Sequence, residues 1–141
     1  MQQNGQFRTL KGYQSLKSGG ITETMEDYIE MIYRCSQQYT QVRVSTLASM
    51  LHVKPSSASK MIGKLKEAGL VHFEKYGPVT LSALGEDYGA YFLWRHNVLH
   101  RFFTFVNGVP PRLKQVEQIE HFIDEQTLLN LEALLDQLDE L

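Results

Sequence analysis

The sequence predicts a mainly α-helical protein that contains one small β-hairpin. Apolar residues recur at the i, i+3, i+4 spacing of a helix through most of residues 24–139. Between residues 44 and 81, a helix, a short turn, a second helix and two alternating stretches follow one another. With 141 residues, of which 43% are hydrophobic and 21% charged, the chain can form a core in one or two small domains.

The charge pattern and the composition limit the classes of function. Residues 1–80 carry ten Lys and Arg against six Asp and Glu, whereas residues 81–141 carry four against ten. A basic first half beside an acidic second half suggests two roles, one of which involves a polyanion. No run approaches the roughly 18 apolar residues of a membrane span, and the polar start lacks the apolar core of a secretory signal. The single cysteine, Cys35, agrees with a reducing compartment, so we expect a cytoplasmic protein without a membrane partner.

The first predicted helix follows a Gly-, Gln- and Ser-rich stretch, residues 1–21, which we interpret as an N-terminal extension. Helical spacing begins near Thr24, and either Thr22 or Thr24 is suited to cap the helix. Asp27 and Glu30 lie three residues apart on the face opposite the apolar one. The apolar positions are Met25, Tyr28, Ile29, Ile32 and Tyr33.

Two further helices are predicted on either side of a turn at residues 52–54. The first covers residues 44–51, with Ser45 as its expected N-cap. The second begins at Pro55, because the missing N–H of proline costs nothing at the first helical position. Gly69 is expected to end it in the left-handed conformation. One apolar stripe runs along this second helix through Ala58, Met61, Ile62, Leu65 and Ala68.

A β-hairpin is predicted around residues 76–78, because apolar and polar residues alternate on both sides of that turn. Helix, turn, helix and hairpin in this order are typical of a winged helix-turn-helix, whose second helix enters the major groove of DNA. We therefore predict a DNA-binding domain over residues 22–82, the alternative being a solvated helix face beside an ordinary hairpin. The predicted DNA-contacting residues are Pro55, Ser56, Ser57, Ser59, Lys60, Lys64, Lys75 and Tyr76.

Residues 83–141 are predicted to form an all-helical domain that offers a surface for dimerisation. A long helix is expected at about 83–105, and two shorter ones at about 113–124 and 127–139, after the break at 107–111. Their Leu- and Phe-rich surfaces offer a core and a dimer interface, and two-fold DNA sites are normally read by dimers. The sequence contains no Gly-rich phosphate loop, nucleophile elbow or Cys-x-x-Cys pair, so we expect neither an enzyme nor an organic small-molecule substrate.

The segment VEQIEHFIDE at residues 116–125 combines a helical apolar period with Glu117, Glu120 and His121. At about 100° per residue, these three side chains fall within roughly 80° of one another. One small object, a cation or simply water, could touch all three. His96 lies inside the long predicted helix, where a histidine alone is more typical of a core or an interface.

Taken together, these segments resemble the diphtheria toxin repressor family over roughly residues 22–141. The resemblance lies in MEDYIE at 25–30, HVKPSSASKM at 52–61, EKYG at 74–77, WRH at 94–96 and VEQIEH at 116–121. It implies a metal site whose ligands are Asp27, Glu30, His96, Glu117, Glu120 and His121. It also implies the manganese-responsive branch of the family. This branch has a carboxylate at the position of Glu120, where the iron-responsive branch is expected to have sulfur.

Four carboxylates and two imidazoles form a hard, oxygen-rich ligand set that suits Mn²⁺. The resemblance therefore implies a manganese-responsive repressor that binds a double-stranded DNA operator as a homodimer and controls genes of manganese uptake. We expect two Mn²⁺ ions per subunit, and we expect other divalent metals to bind in vitro. The bound ions are expected to join the first helix to the dimerisation helices without a large change of fold. The alternatives are a winged-helix regulator that does not respond to metal and a dinuclear metallohydrolase that uses the same ligands to activate water.

Overall fold

The helices and strands follow the predicted order. The computed structural model of the protein describes residues 21–38 and 41–141, so nearly all of the predicted N-terminal extension lies outside the described residues. The described elements are α1 (Glu23–Gln38), α2 (Val44–Leu51), α3 (Pro55–Glu67), β1 (Val71–Phe73), β2 (Val79–Leu81), α4 (Ala83–Asn107), α5 (Leu113–Glu120) and α6 (Glu125–Asp139). The mainly α-helical fold class is confirmed.

The chain divides into two compact units, one ending at Phe92 and the other covering Leu93–Leu141. This division falls within α4, whereas the predicted domains divide at its start; the functional limits at residues 82 and 83 stay a prediction. None of the helices in the described ranges combines the length and the hydropathy needed to cross a bilayer.

Helix α1 begins where the sequence predicts. The amide of Met25 donates to Oγ1 of Thr22 at 3.1 Å, so Thr22 is the cap. The predicted apolar face is buried, and Ile29 and Ile32 are both completely inaccessible to solvent, but Glu30, predicted on the opposite face, is buried as well. This face anchors the helix that carries two of the predicted metal ligands.

The helix-turn-helix is formed by α2 and α3. The predicted N-cap of α2 is wrong: Arg43 has the extended backbone of the cap position and its carbonyl accepts from the amide of Leu47, so Ser45 is already helical. No side chain caps this helix. Helix α3 starts at Pro55, and Gly69 follows its end with φ +78°, as predicted.

The hairpin, or wing, consists of two three-residue antiparallel strands in the register Val71↔Leu81. Val71, Val79 and Leu81 are buried, whereas His72 and Thr80, the middle residues of the two strands, are exposed. The amide of Val79 donates to the carbonyl of Val42 at 2.6 Å, which ties β2 to the segment before α2. On the other strand, Nζ of Lys66 donates to the carbonyl of Phe73 at 2.7 Å.

The core of the second unit is apolar and is formed by the end of α4 together with α5 and α6. At its edge, Nε1 of Trp94 donates to Glu132 at 2.9 Å. Arg101 binds both Asp136 and Asp139, so a second polar contact joins α4 to α6. The buried core residues are Val98, Leu99, Val116 and Leu128, against which Trp94, Phe103, Ile119, Ile123 and Leu131 pack.

The helix predicted at 113–124 is shorter in the structure, because residues 121–124 form a turn that leads into the next helix. Helix α5 ends at Glu120, with His121 at its C-cap. Asp124 has an extended backbone and accepts from the amide of Thr127 at 2.8 Å, which makes it the N-cap of α6. Hydrogen bonds from the side chain of Thr127 and from its backbone amide lower the pKa of the Asp124 carboxyl. A residue that caps one helix cannot continue the preceding one, so the two helices are separated by a short turn.

Glu125, the first residue of α6, is a buried carboxyl group outside the predicted ligand set. It is 4% exposed, and neither carboxylate oxygen has a hydrogen-bond partner within the described parts of the chain. Burial disfavours the charged form and raises the pKa of Glu125 from an ordinary 4.5 to about 7.

Glycines in α3 and α4 differ in the space around them. A Cβ atom at Gly85 would lie 2.1 Å from the carbonyl oxygen of Leu70, and one at Gly89 would lie 2.6 Å from Cβ of Tyr33. At Gly63, in α3, a Cβ atom would meet nothing within 4 Å. The packing of the first unit therefore requires glycine at positions 85 and 89 but not at position 63.

We predict opposite stability effects for alanine at these positions. Gly85→Ala should lower the free energy of unfolding by about 1–3 kcal/mol, because the backbone of Leu70 must move. Gly63→Ala should raise it by roughly 0.5–1 kcal/mol, because alanine favours the helix and the site is open. Urea denaturation followed by circular dichroism measures both. Equal midpoints for the two variants would contradict the packing described.

A pH-dependent stability difference is predicted for Glu125→Gln. Between pH 4.5 and 7 the unfolded chain releases the proton of Glu125 while the folded chain keeps it, so wild-type stability falls as pH rises. Relative to Glu125→Gln, the loss should approach about 1.4 kcal/mol per pH unit in this window and level off above it. Urea denaturation in EDTA at several pH values measures the difference. The exposed Glu140→Gln is the control, and a wild-type minus Glu125→Gln difference that stays constant with pH would refute the prediction.

Candidate functional site

The polar face of α3 is exposed along its length, as a DNA-reading helix requires. Its apolar stripe, by contrast, is buried at Ala58, Ile62 and Leu65. Serine hydroxyl groups near the first turn and lysines further along give this face donors and positive charge suited to phosphate. The exposed predicted residues on this helix are Pro55, Ser56, Ser57, Ser59, Lys60 and Lys64.

The tip of the wing carries the other two predicted DNA-contacting residues. Tyr76 is 84% exposed and has φ +67°, a left-handed conformation that is uncommon outside glycine. The ammonium group of Lys75 lies 5.1 Å from the centre of the Tyr76 ring. The turn is closed by Gly77, whose amide donates to the carbonyl of Glu74 at 2.8 Å.

Arg43 also reaches the wing, which the sequence did not reveal. Its Nη1 atom donates to the carbonyl of Tyr76 at 2.9 Å, a contact between residues 33 positions apart. No local pattern marks such a pair, because the partner is a backbone oxygen and the arginine precedes α2 by one residue. Only the folded position of the hairpin brings them together.

The six predicted metal ligands are divided between the two compact units. Asp27 and Glu30 lie on α1, in the first unit, where Asp27 is half-buried and Glu30 is 7% exposed. Glu30 accepts a hydrogen bond from Nη2 of Arg34, one turn later, at 2.5 Å. This arginine compensates the charge of an almost fully buried carboxylate.

In the second unit, α4 and α5 bring His96 and Glu120 together. The two side chains are 5% and 1% exposed, and Nδ1 of His96 lies 3.3 Å from Oε1 of Glu120. Two ligands of one divalent ion, each at 2.0–2.2 Å from it, are separated by about 3 Å. The spacing and burial of this pair therefore fit two ligands of the same ion.

The remaining two predicted ligands lie at the end of α5. His121 is half-buried at the C-cap, and its Nδ1 atom is 3.5 Å from Nη2 of Arg95, which is fully buried. Glu117, one turn earlier, is exposed. The structure therefore pairs His96 with Glu120, places His121 beside an arginine and leaves Glu117 on the surface of the second unit.

The chain's cysteine does not change the donor chemistry. Cys35 is buried in the first unit, and its Sγ atom lies 3.2 Å from Sδ of Met50. Burial raises the pKa of the Cys35 thiol, which disfavours the thiolate that a metal ion would need. The candidate donors are thus carboxylate oxygens and imidazole nitrogens, a set that fits a divalent ion of the Mn²⁺ type.

Comparison with known sequences gives a consistent group of similar proteins. Residues 20–79 match the family described as iron dependent repressor, N-terminal DNA binding domain. The HTH-type transcriptional regulator MntR of Lysinibacillus sphaericus is 35% identical over 120 residues, which are 84% of this chain and 86% of that protein. The HTH-type transcriptional regulator MntR of Bacillus subtilis is 32% identical over 120 residues, which are 84% of each chain.

Solved structures agree with the fold. A manganese-dependent transcriptional repressor in complex with manganese has a TM-score of 0.67 and 29% identity, over 79% of this chain and 52% of that one. The metal-dependent transcriptional regulator MtsR has a TM-score of 0.73 at 24% identity, over 82% of this chain and 55% of that one, and supports the fold alone. This chain spans about half the length of these two solved chains.

Proposed function

The chain belongs to the diphtheria toxin repressor family of metal-dependent, DNA-binding transcriptional repressors, and we propose that manganese is the metal to which it responds. Proteins of this family bind DNA and are not enzymes, and the relatives do not favour the metal-independent and hydrolase alternatives. Divalent metal binding is supported by the relatives and by the donor chemistry described above. The finer proposal is a cytoplasmic homodimer that represses genes of manganese uptake.

The observation that carries the metal proposal is the buried pair of His96 and Glu120. A carboxylate and an imidazole lie 3.3 Å apart on two helices, nearly inaccessible to solvent. Buried polar groups destabilise a fold unless each has a partner, and an ion between them is a strong one. This pair lies in a chain whose similar proteins include regulators named MntR.

We propose that the ligand set is the one predicted from the sequence. The burial of Glu30, His96 and Glu120 supports three of its members, since nearly buried ionisable side chains are uncommon without a functional or pairing role. Such a set could hold two Mn²⁺ ions per subunit, because four carboxylates balance four positive charges. The complete set is Asp27, Glu30, His96, Glu117, Glu120 and His121.

Manganese is proposed over softer metals because of the ligand types. The set contains carboxylates and imidazoles without sulfur, and hard oxygen ligands suit Mn²⁺. Intrinsic affinity rises from Mn²⁺ toward Cu²⁺, so selectivity must come from the number and arrangement of ligands. When bound, the ions would supply positive charge among carboxylates that otherwise repel one another.

For DNA, we propose that α3 enters the major groove and that the wing approaches the backbone. The exposure of all eight predicted residues supports this, as does the positive charge of Lys60, Lys64 and Lys75. Tyr76 would lie at the tip of the wing, next to the phosphates.

The homodimer is proposed from the apolar surface of the second unit. Large apolar side chains that are at least half exposed are concentrated there, and a monomer rarely exposes so many over a short stretch of chain. A two-fold dimer would present two copies of α3 to successive major grooves. The exposed side chains are Phe105, Val106, Val109, Leu113, Phe122, Leu134 and the C-terminal Leu141.

Metal and DNA binding are linked in this proposal because the ligand set draws on both compact units. Asp27 and Glu30 belong to the unit that contains α3, and the other four ligands belong to the second unit. Ion binding would therefore favour those conformations of the chain in which all ligands can reach the ions. If DNA favours the same conformations, each ligand raises the affinity for the other. The coupling is reciprocal, so operator DNA should also raise the affinity for Mn²⁺.

Loss of one buried ligand should remove the metal response. Wild-type protein should bind a duplex selected from a random pool about a hundredfold more tightly in Mn²⁺ than in EDTA, which requires about 3 kcal/mol of coupling. His96→Ala and Glu120→Gln should lose most of this ratio, and Mn²⁺ binding without DNA, followed by calorimetry and electron paramagnetic resonance, should weaken in parallel. Glu140→Gln, at an exposed carboxylate, is the control. Wild-type Mn²⁺ affinity in both ligand variants would exclude the site.

A phosphate contact by Lys60 should appear in the salt dependence of DNA binding. For Lys60→Met, the slope of log K against log salt concentration should fall in magnitude by about 0.9, because one fewer counterion is released. Lys114→Met removes an exposed lysine of α5, in the second unit, and should leave the slope unchanged. Equal slopes in all three proteins would show that Lys60 does not contact a phosphate.

A further inference from the structure

A cavity of about 380 Å³ lies beside the wing and within the first compact unit. Two cationic side chains, Arg43 and Lys75, line it together with the serines Ser45 and Ser59 and the wing residue Tyr76. None of the described residues that line it is acidic. The cavity therefore offers positive charge and hydroxyl donors without a competing carboxylate.

Arg43 connects this cavity to the conformation of the wing. Its guanidinium group donates to the carbonyl of Tyr76 at 2.9 Å and to Oε1 of Gln41 at 3.2 Å. Tyr76 has a left-handed backbone, which is unfavourable for a residue other than glycine and therefore needs support from its surroundings. The hydrogen bond from Arg43 supplies that support at the strained residue itself.

The position of Lys75 depends on the conformation of Tyr76, which Arg43 supports. Its ammonium group lies 5.1 Å from the centre of the Tyr76 ring, so the ring and the lysine share one arrangement at the wing tip. Lys75 is exposed and so pays little desolvation cost in the free protein. If the backbone of Tyr76 were released, Lys75 would no longer be held at the cavity.

We propose that Arg43 is a positioning residue for DNA binding: it holds the wing tip through the Tyr76 carbonyl, so that Lys75 and the cavity accept one phosphate of the DNA backbone. This inference rests on the proposed DNA-binding function and adds a residue that the predicted interface lacks. A phosphate suits the cavity because arginine and lysine are its usual partners, and serine hydroxyl groups donate to its oxygens. The N-terminus of α2, which has no side-chain cap, begins at Val44 on the same cavity wall.

Lys66 provides a matched control on the other strand of the wing. Its Nζ atom donates to the carbonyl of Phe73 at 2.7 Å and lies 3.8 Å from a carboxylate oxygen of Glu74. Lys66 thus also binds a wing carbonyl and also carries one positive charge, but it does not line the cavity. A change at Lys66 removes a similar contact without the proposed phosphate site.

The test is a double-mutant cycle on the intact protein in Mn²⁺, with a duplex selected from a random pool by the wild type. Arg43→Lys keeps the charge but loses the planar fork that reaches Tyr76. We expect Arg43→Lys and Lys75→Met each to weaken binding about tenfold and to lower the magnitude of the salt slope by about 0.9. The double variant should fall little further, because both changes remove the same phosphate contact. Lys66→Met should weaken binding less than either.

Amide hydrogen exchange of the free protein gives a second measurement. Arg43→Lys should accelerate exchange at Gly77, whose amide closes the wing turn, and should leave exchange at Ser82, after β2, unchanged. Both variants alter exposed side chains, so thermal melting should show an intact fold.

Three results would overturn the inference. Arg43→Lys could match the wild type in affinity and slope, Arg43→Lys and Lys75→Met could have fully additive effects, or Lys66→Met could reproduce the loss seen with Arg43→Lys. Failure of the proposed function looks different: the wild type itself would select no duplex from the pool, or would bind it equally in Mn²⁺ and EDTA. The two failures are therefore distinguishable in the same titrations.

Discussion

The second unit depends on keeping a carboxylate and an imidazole together in its interior. Glu120 and His96 are almost completely buried and lie 3.3 Å apart, and loss of either one would cost a polar contact in a poorly solvating environment. The pairing relieves this cost and also fixes the two groups at the spacing of ligands. Glu30, in the first unit, is compensated differently, by the guanidinium of Arg34. Two buried acids, Glu30 and Glu120, are thus already compensated within the protein itself, whereas the buried Glu125 is not compensated by any residue that the structure describes.

In the first unit, backbone groups of the wing are likewise stabilised by partners elsewhere in the protein. Two strands of three residues are too short to be stable alone, and the wing persists because groups outside it bind its carbonyl and amide groups. Val42 binds one strand, Lys66 binds the other, and Arg43 binds the turn. The wing therefore depends on its contacts with α3 and with the segment before α2, and its shape is coupled to these parts of the helix-turn-helix.

Local chemistry explains what could be predicted from the sequence and what could not. Pro55 marks the start of a helix by its ring and Gly69 marks an end by its lack of a side chain, so both roles could be predicted from the sequence, whereas the cap of α1 was predicted only as Thr22 or Thr24. The prediction of Ser45 as the N-cap of α2 was wrong because Arg43, two residues earlier, has the backbone conformation of the cap. The ligand types and the family resemblance pointed to His96 and Glu120, but their burial and their pairing across 24 residues are tertiary facts. The burial of Glu125 was not predicted, because no local sequence pattern indicates that a carboxyl group at the start of a helix will be buried.

The contact between Trp94 and Glu132 has a practical consequence. Trp94 is the chain's single tryptophan, it is half-buried, and its indole N–H donates to the carboxylate of Glu132, 38 residues away in sequence. Its neighbours along α4 are Arg95 and His96. The protein therefore contains an intrinsic fluorophore, free of spectral overlap from any second indole, whose emission is sensitive to the polarity and charge of the interior that surrounds these side chains.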